Sequence, residues 1–211
     1  LKRTNNPNIN QAWYWNSIYK GDARQQYATQ GTDLAKAKGH YIKPTARFGA
    51  TLQEVNNGDV CLDIGCGVGV LTNLIKNTYP NCEVWGVDIS DQAIRDNIKE
   101  NPSITYHKQE IGNLNKVPSN HFDFVFSGET LEHLDHPEDL IKDACMALKP
   151  GGKLVITTPE GHNIPSEEHV YEFSHEDVEK LMKDNGFDNV RFIYLPKLEH
   201  LLVIMAVGVK K

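Results

Sequence analysis

Long apolar runs are missing from this sequence, and no stretch approaches the length needed to span a bilayer. Internal repeats and low-complexity segments are missing too, which excludes a solenoid and a largely disordered chain. Cysteine is scarce, with four in 211 residues. Cys61, Cys66, Cys82 and Cys145 show no paired spacing, which excludes a disulfide scaffold. They read as reduced thiols packed like small hydrophobes, the pattern expected of a cytoplasmic protein. The opening residues are polar and their apolar cluster is short and aromatic, so no secretory leader is predicted.

Positive charge is in deficit. There are 22 Lys and Arg against 28 Asp and Glu, for a net charge of −6. That balance argues against broad nucleic-acid binding without excluding it. The deficit is uneven, because residues 1–47 hold eight Lys and Arg and only two acids, Asp22 and Asp33. Either this arm packs on its own acidic domain or it helps hold an anionic acceptor.

What is present is one domain's worth of chain with a full core. Residues 1–56 read as a helical and irregular cap, with aromatics at Trp13, Tyr14, Trp15, Tyr19 and Tyr41. From 57 to 211 strand-like and helix-like patterns alternate, the signature of a parallel sheet covered by helices. The spacing predicts strands over 60–64, 83–87, 104–107, 122–127, 153–158, 189–195 and 200–207. It predicts helices over 69–79 and 91–100, one from Pro137 to Leu148, and one capped by Ser174 with Asp177 and ended by Gly186. The last two strands have only a short link, so they must be antiparallel neighbours.

The first strand runs into Asp63-Ile64-Gly65-Cys66-Gly67-Val68-Gly69. A dinucleotide fingerprint would need glycine at position 70, where this chain has Val70. That counts against a nicotinamide oxidoreductase. The D-x-G-x-G-x-G spacing instead resembles motif I of the class I S-adenosylmethionine-dependent methyltransferases. The resemblance runs over roughly residues 55–207 and includes the Leu148-Lys149-Pro150-Gly151-Gly152 turn. It implies a Rossmann-like, doubly wound, seven-stranded α/β sheet in three layers, mostly parallel with an antiparallel last strand.

The resemblance also implies a cofactor site at the carboxyl ends of the strands. Gly65 and Gly67 would underlie the methionine part of S-adenosylmethionine. Asp63 would act on the loop or, through water, on the ammonium group. Asp88 lies 19 residues after Gly69, where an acid accepts both ribose hydroxyls. Ile89 would lie against the adenine, Glu110 and Ile111 would meet its edge, and Ser127 falls among the cofactor-contacting positions.

On the acceptor side, Glu129-x-x-Glu132-His133 follows the fourth strand, and His169 precedes the last helix. Three readings stand side by side. His133 is the general base, since imidazole titrates near neutral pH. Alternatively, Glu129, Glu132, His133 and His169 hold a divalent metal, Mg²⁺ or Mn²⁺. This set resembles the metal-dependent small-RNA 3′-terminal 2′-O-methyltransferases, while Leu131-Glu132-His133 is shared with ubiquinone-pathway O-methyltransferases. In the third reading the segment only caps a turn. The expected function is methyl transfer to a small molecule, to oxygen, by a monomer or homodimer. An RNA 2′-O-methyltransferase and a non-catalytic nucleotide-binding protein are the alternatives.

Overall fold

In a computed structural model the described residues are 2–3, 11–20, 44–161, 168–194 and 203–211. Tyr41, His40, His162 and His200 lie outside them. The elements in chain order are β1 (Lys2–Arg3), α1 (Ala12–Ile18), α2 (Pro44–Leu52), β2 (Val60–Ile64), α3 (Val70–Thr78), β3 (Glu83–Asp88) and α4 (Asp91–Glu100). Then come β4 (Thr105–Lys108), β5 (Phe122–Gly128), a 3₁₀ turn (Leu131–His133), α5 (Pro137–Ala147), β6 (Leu148–Pro159), β7 (Tyr171–Glu172), α6 (His175–Asp184), β8 (Phe187–Phe192) and β9 (Val203–Lys210).

Seven strands form one sheet in the order β4-β3-β2-β5-β6-β9-β8. The pairs from β4 to β6 are parallel, and β9 is antiparallel to both β6 and β8. The order reverses at β2, which opens the crevice where doubly wound sheets take ligands. Residues alternate between two cores because strand side chains alternate faces. Leu62 and Ile64 pack with Val125, Leu140, Ile141, Ala144, Val178 and Met182 on the α5–α6 face. Cys61 packs with Phe48, Leu71, Ile75, Ile94, Phe124 and Val155 on the α2–α3–α4 face. The result is three layers.

Local chemistry accounts for most element ends. The Ser90 hydroxyl accepts from Ala93 N–H and starts α4. Ser174 and Asp177 form a reciprocal capping box at α6. Pro137 occupies the first turn of α5.

Three expectations need correction. The strand expected at 153–158 begins at Leu148, and the expected Lys149–Gly152 turn lies inside it, between the pairs Leu148–Phe122 and Lys153–Phe124, bending through Gly151 (φ 78°). The last two strands are displaced from 189–195 and 200–207, since pairing of β9 with Lys153–Pro159 of β6 sets their register. Within the helical and irregular opening segment a short strand forms instead, with Lys2 opposite Glu172 and Arg3 opposite Tyr171. Among the described residues, no helix is long and apolar enough to cross a membrane.

Candidate active site

The glycine turn after β2 bends through left-handed backbone at Gly65 (φ 79°) and Gly67 (φ 49°). A Cβ on Gly65 would overlap the Thr130 side chain, and one on Gly67 would stand 3.0 Å from the Tyr19 hydroxyl. The turn is hung from β3, because Gly65 and Cys66 both donate N–H to the Val87 carbonyl, at 2.8 and 3.0 Å. Gly67 N–H donates to Asp88 Oδ2 at 2.9 Å, and Ser90 N–H donates to Asp88 Oδ1 at 2.7 Å. Each carboxylate oxygen takes one backbone donor and keeps further lone-pair capacity. The Asn97 amide donates to the Gly67 carbonyl at 2.8 Å.

Asp63 is 4% exposed and has no hydrogen bond to its carboxylate among the described residues. Burial, with the neighbouring Asp88 charge, pushes its pKa up to about 8. Burial also raises Asp88, against the two backbone donors. Ser127 is buried and donates its hydroxyl proton to the Ile64 carbonyl at 2.8 Å, tying β5 to β2. Ile89 is half-buried beside Asp88, and Ile111 packs on the α5–α6 core. Glu110 is exposed, in a tight turn bridged to Asn113. That turn is held by Asp143 of α5, whose Oδ2 accepts from Gly112 N–H at 2.6 Å.

At the end of β5 the chain turns through Glu129 in left-handed backbone (φ 52°). Arg47 from α2 reaches it, with Nη1 3.1 Å from Glu129 Oε1. Glu132 is 1% exposed and accepts from the Thr158 hydroxyl at 2.9 Å. Burial, reinforced by the Glu129 charge, holds Glu132 well above the ordinary carboxyl range. His133 Nδ1 lies 2.7 Å from the Glu168 carbonyl. A carbonyl only accepts, so Nδ1 carries the proton and Nε2 carries the lone pair. Burial lowers the His133 pKa, which keeps the ring neutral.

The His169 ring packs edge-on to His133 at 5.2 Å. Ligating atoms of Glu132, His133 and His169 lie within 4.8 Å of one another. Glu129, the fourth expected ligand, stands with Arg47 instead. The α1 helix covers both halves. Trp15 packs edge-on to His133 at 5.2 Å, the Tyr14 hydroxyl donates to Glu168 at 2.6 Å, and Asn16 accepts from the Ser90 hydroxyl at 2.9 Å.

Arg47, Thr130, Asp143 and Asn97 were not singled out from sequence. Asp143 left a readable signal, since it interrupts the buried face of α5 formed by Leu140, Ile141, Ala144 and Ala147. Arg47 was counted only within the basic excess of residues 1–47, and its pairing with Glu129 left no local signal, because the two are 82 positions apart.

A family model described as a methyltransferase domain matches residues 34–191. The chain is 33% identical over 125 residues to a ubiquinone biosynthesis O-methyltransferase of Coxiella burnetii, covering 56% of this chain and 51% of that one. It is 29% identical over 105 residues to a trans-aconitate 2-methyltransferase of Methylobacterium nodulans, covering 50% and 40%. The chain thus spans about half or less of the length of these curated relatives. Among solved structures, a geranyl diphosphate C-methyltransferase from Streptomyces coelicolor superposes over 100% of both chains, with a TM-score of 0.75 at 13% identity. That likeness shows the fold, the Rossmann-like seven-stranded sheet of class I methyltransferases.

Proposed function

Because the chain belongs to the methyltransferase-domain family, we propose that it moves a methyl group from S-adenosylmethionine to an oxygen of a small acceptor molecule. The observation that carries the oxygen assignment is the His133 tautomer. Its Nδ1–H is spent on the Glu168 carbonyl, so Nε2 is left as a base beside the end of β5. Methyl transfer to a hydroxyl needs such a base, and sulfur or amine acceptors need it less.

The residues fit the cofactor on two counts. The turn at Gly65 and Gly67 bends through left-handed backbone that leaves the peptide edge free of side chains. Asp63 is a buried carboxylate that accepts no hydrogen bond among the described residues, suited to the cationic methionine end. Asp88 would take the ribose hydroxyls on its remaining lone pairs, with Ile89 and Ile111 against the adenine and Glu110 at its edge. When bound, the sulfonium supplies an electrophilic methyl and a good leaving group. The glycine turn and Asp88 orient it, Trp15 and Tyr14 exclude water above His133, and Nε2 of His133 receives the hydroxyl proton.

A metal-assisted version has its own support, the convergence of Glu132, His133 and His169. Two imidazoles and a carboxylate suit Mn²⁺ better than Mg²⁺. Such an ion would acidify the acceptor hydroxyl, and an RNA 3′ end is the acceptor class of that reading.

Calorimetry with S-adenosylmethionine and S-adenosylhomocysteine, followed by an acceptor screen that detects S-adenosylhomocysteine, tests the proposal. The screen is run with chelator and with added Mn²⁺. Binding of neither nucleoside overturns it. Turnover that survives exhaustive chelation removes the metal version and leaves His133 as the base.

A further inference from the structure

Four of the five backbone N–H groups in the cofactor turn, from Gly65 to Gly69, are spent inside the fold. Gly65 and Cys66 donate to the Val87 carbonyl, Gly67 donates to Asp88, and Gly69 donates to the Cys66 carbonyl at 2.9 Å. The Val68 N–H has no hydrogen-bond acceptor among the described residues, although Val68 is only 7% exposed. Buried backbone donors are nearly always paired, so one left over in a ligand-binding turn needs a cause.

The carbonyl of the same peptide shows how that donor is aimed. Asn97 of α4 donates its side-chain amide to the Gly67 carbonyl at 2.8 Å, and the Cys66 thiol stands 3.9 Å from it. The carbonyl and N–H of a trans peptide point in opposite directions, so the Val68 N–H is turned away from Asn97. The Gly69 carbonyl is taken as well, by the Thr72 hydroxyl and the Asn73 amide, each at 2.8 Å. Thr72 spends its proton there, so the Tyr106 hydroxyl donates to Thr72, at 2.6 Å. Tyr106 of β4 reaches that place by crossing Gly86, where a Cβ would stand 2.7 Å from its ring.

Helix formation does not ask for asparagine at 97. The position is fully buried and belongs to the inner face of α4 with Ala93 and Ile94. Asparagine is a weak helix former, and leucine would repeat its branched shape without a polar group to bury.

We propose that Asn97 is a positioning residue for the cofactor: by holding the Gly67 carbonyl it aims the Val68 N–H at the cofactor's carboxylate. Asp88 takes the ribose and Asp63 the ammonium, and neither acid can hold an anion. The carboxylate is the one anionic group of S-adenosylmethionine, and a free backbone donor answers it. Without Asn97 the peptide can rotate, and its carbonyl dipole would then face the carboxylate and repel it. This assignment rests on the methyl-transfer reading and adds to it a residue that acts through the turn.

The test uses two nucleosides that differ by one group, S-adenosylhomocysteine and its decarboxylated analogue, which keeps the ammonium. Calorimetry on the full chain shows S-adenosylhomocysteine binding about tenfold more tightly. Asn97→Leu erases that preference, while the analogue binds within about twofold of its original affinity. A structural role alone would weaken both nucleosides together. Equal affinities in the unsubstituted protein, a preference that survives Asn97→Leu, or parallel weakening of both nucleosides overturns the assignment. In the unsubstituted protein the Val68 amide resonance, read with isotope-labelled valine, moves with S-adenosylhomocysteine and stays in place with the analogue. Equal movement with both overturns the assignment even where Asn97→Leu does not fold. If the unsubstituted protein binds neither nucleoside, the methyl-transfer reading itself fails, and the role of Asn97 with it.

Discussion

Asp63 and Asp88 lie at the carboxyl ends of neighbouring parallel strands. Among the described residues Asp88 takes backbone donors from Gly67 and Ser90, and Asp63 takes none. Both are buried, and the Asp88 charge is one cause of the raised Asp63 pKa. Asp88 therefore builds the glycine turn, and Asp63 waits for a cation.

That difference makes cofactor binding pH-dependent. In the empty protein Asp63 titrates at about 8, so at pH 7 it is mostly protonated. A cationic ligand favours the carboxylate and lowers this pKa, so binding at pH 7 releases a proton. Affinity for S-adenosylmethionine then climbs with pH and levels off above about 8, by at most about tenfold per unit. Calorimetry in buffers of different ionisation enthalpy reads the released proton directly. Asp63→Asn abolishes the buffer dependence and flattens the pH profile.

Removal of the Asp88 carboxylate has two effects. Asp88→Ala strands the N–H groups of Gly67 and Ser90, and it deletes the oxygens offered to the ribose. S-adenosylmethionine binding weakens by about 1–3 kcal/mol, and the melting temperature falls with it. Ser90→Gly is the control, since it relaxes the same helix start by only a few tenths of a kcal/mol. Unchanged affinity in Asp88→Ala removes the ribose assignment.

How much of this was legible in the sequence varies by the range of the interaction. The span of α4, from Asp91 to Glu100, follows from Ser90 as its cap and from the apolar spacing, both local signals. The β2 turn was legible because the spacing of Gly65, Gly67 and Gly69 reflects backbone that must bend left-handed. Long-range events were not legible. Leu148 joins β6 only because Phe122, 26 positions earlier, pairs with it. Glu129 stands close to Glu132 and His133 in the sequence, but Leu131–His133 is a 3₁₀ turn and Glu129 precedes it with φ 52°. That bend places Glu129 with Arg47, which no local pattern announces.

The capping box at α6 is a local prediction with a local test. The Ser174 hydroxyl accepts from Asp177 N–H at 3.1 Å, and the Asp177 carboxylate accepts from Ser174 N–H at 3.0 Å. Ser174→Ala costs about 0.5–2 kcal/mol of stability by denaturant titration. Since α6 contributes Val178 and Met182 to the core, the loss is of global stability and the transition keeps its cooperativity.

His133 decides between the two forms of the chemistry. Burial lowers its pKa, so the neutral base prevails at pH 7, and kcat/KM falls only as pH drops through a value below the ordinary imidazole figure of about 6.5. His133→Gln keeps a side-chain amide for the Glu168 carbonyl and removes the base, so kcat falls by about 10²–10⁴ while S-adenosylmethionine affinity holds. His169→Gln separates the mechanisms. If His133 acts alone, His169→Gln leaves kcat within a few-fold and chelation has no effect. If Glu132, His133 and His169 share an ion, His169→Gln matches the His133 loss, and excess Mn²⁺ partly restores it. Glu132 sharpens the contrast, because burial raises the pKa of its carboxyl and favours the form that carries a proton. Ion binding must displace that proton, so metal affinity rises with pH, and a pH-independent Mn²⁺ titration excludes Glu132 as a ligand.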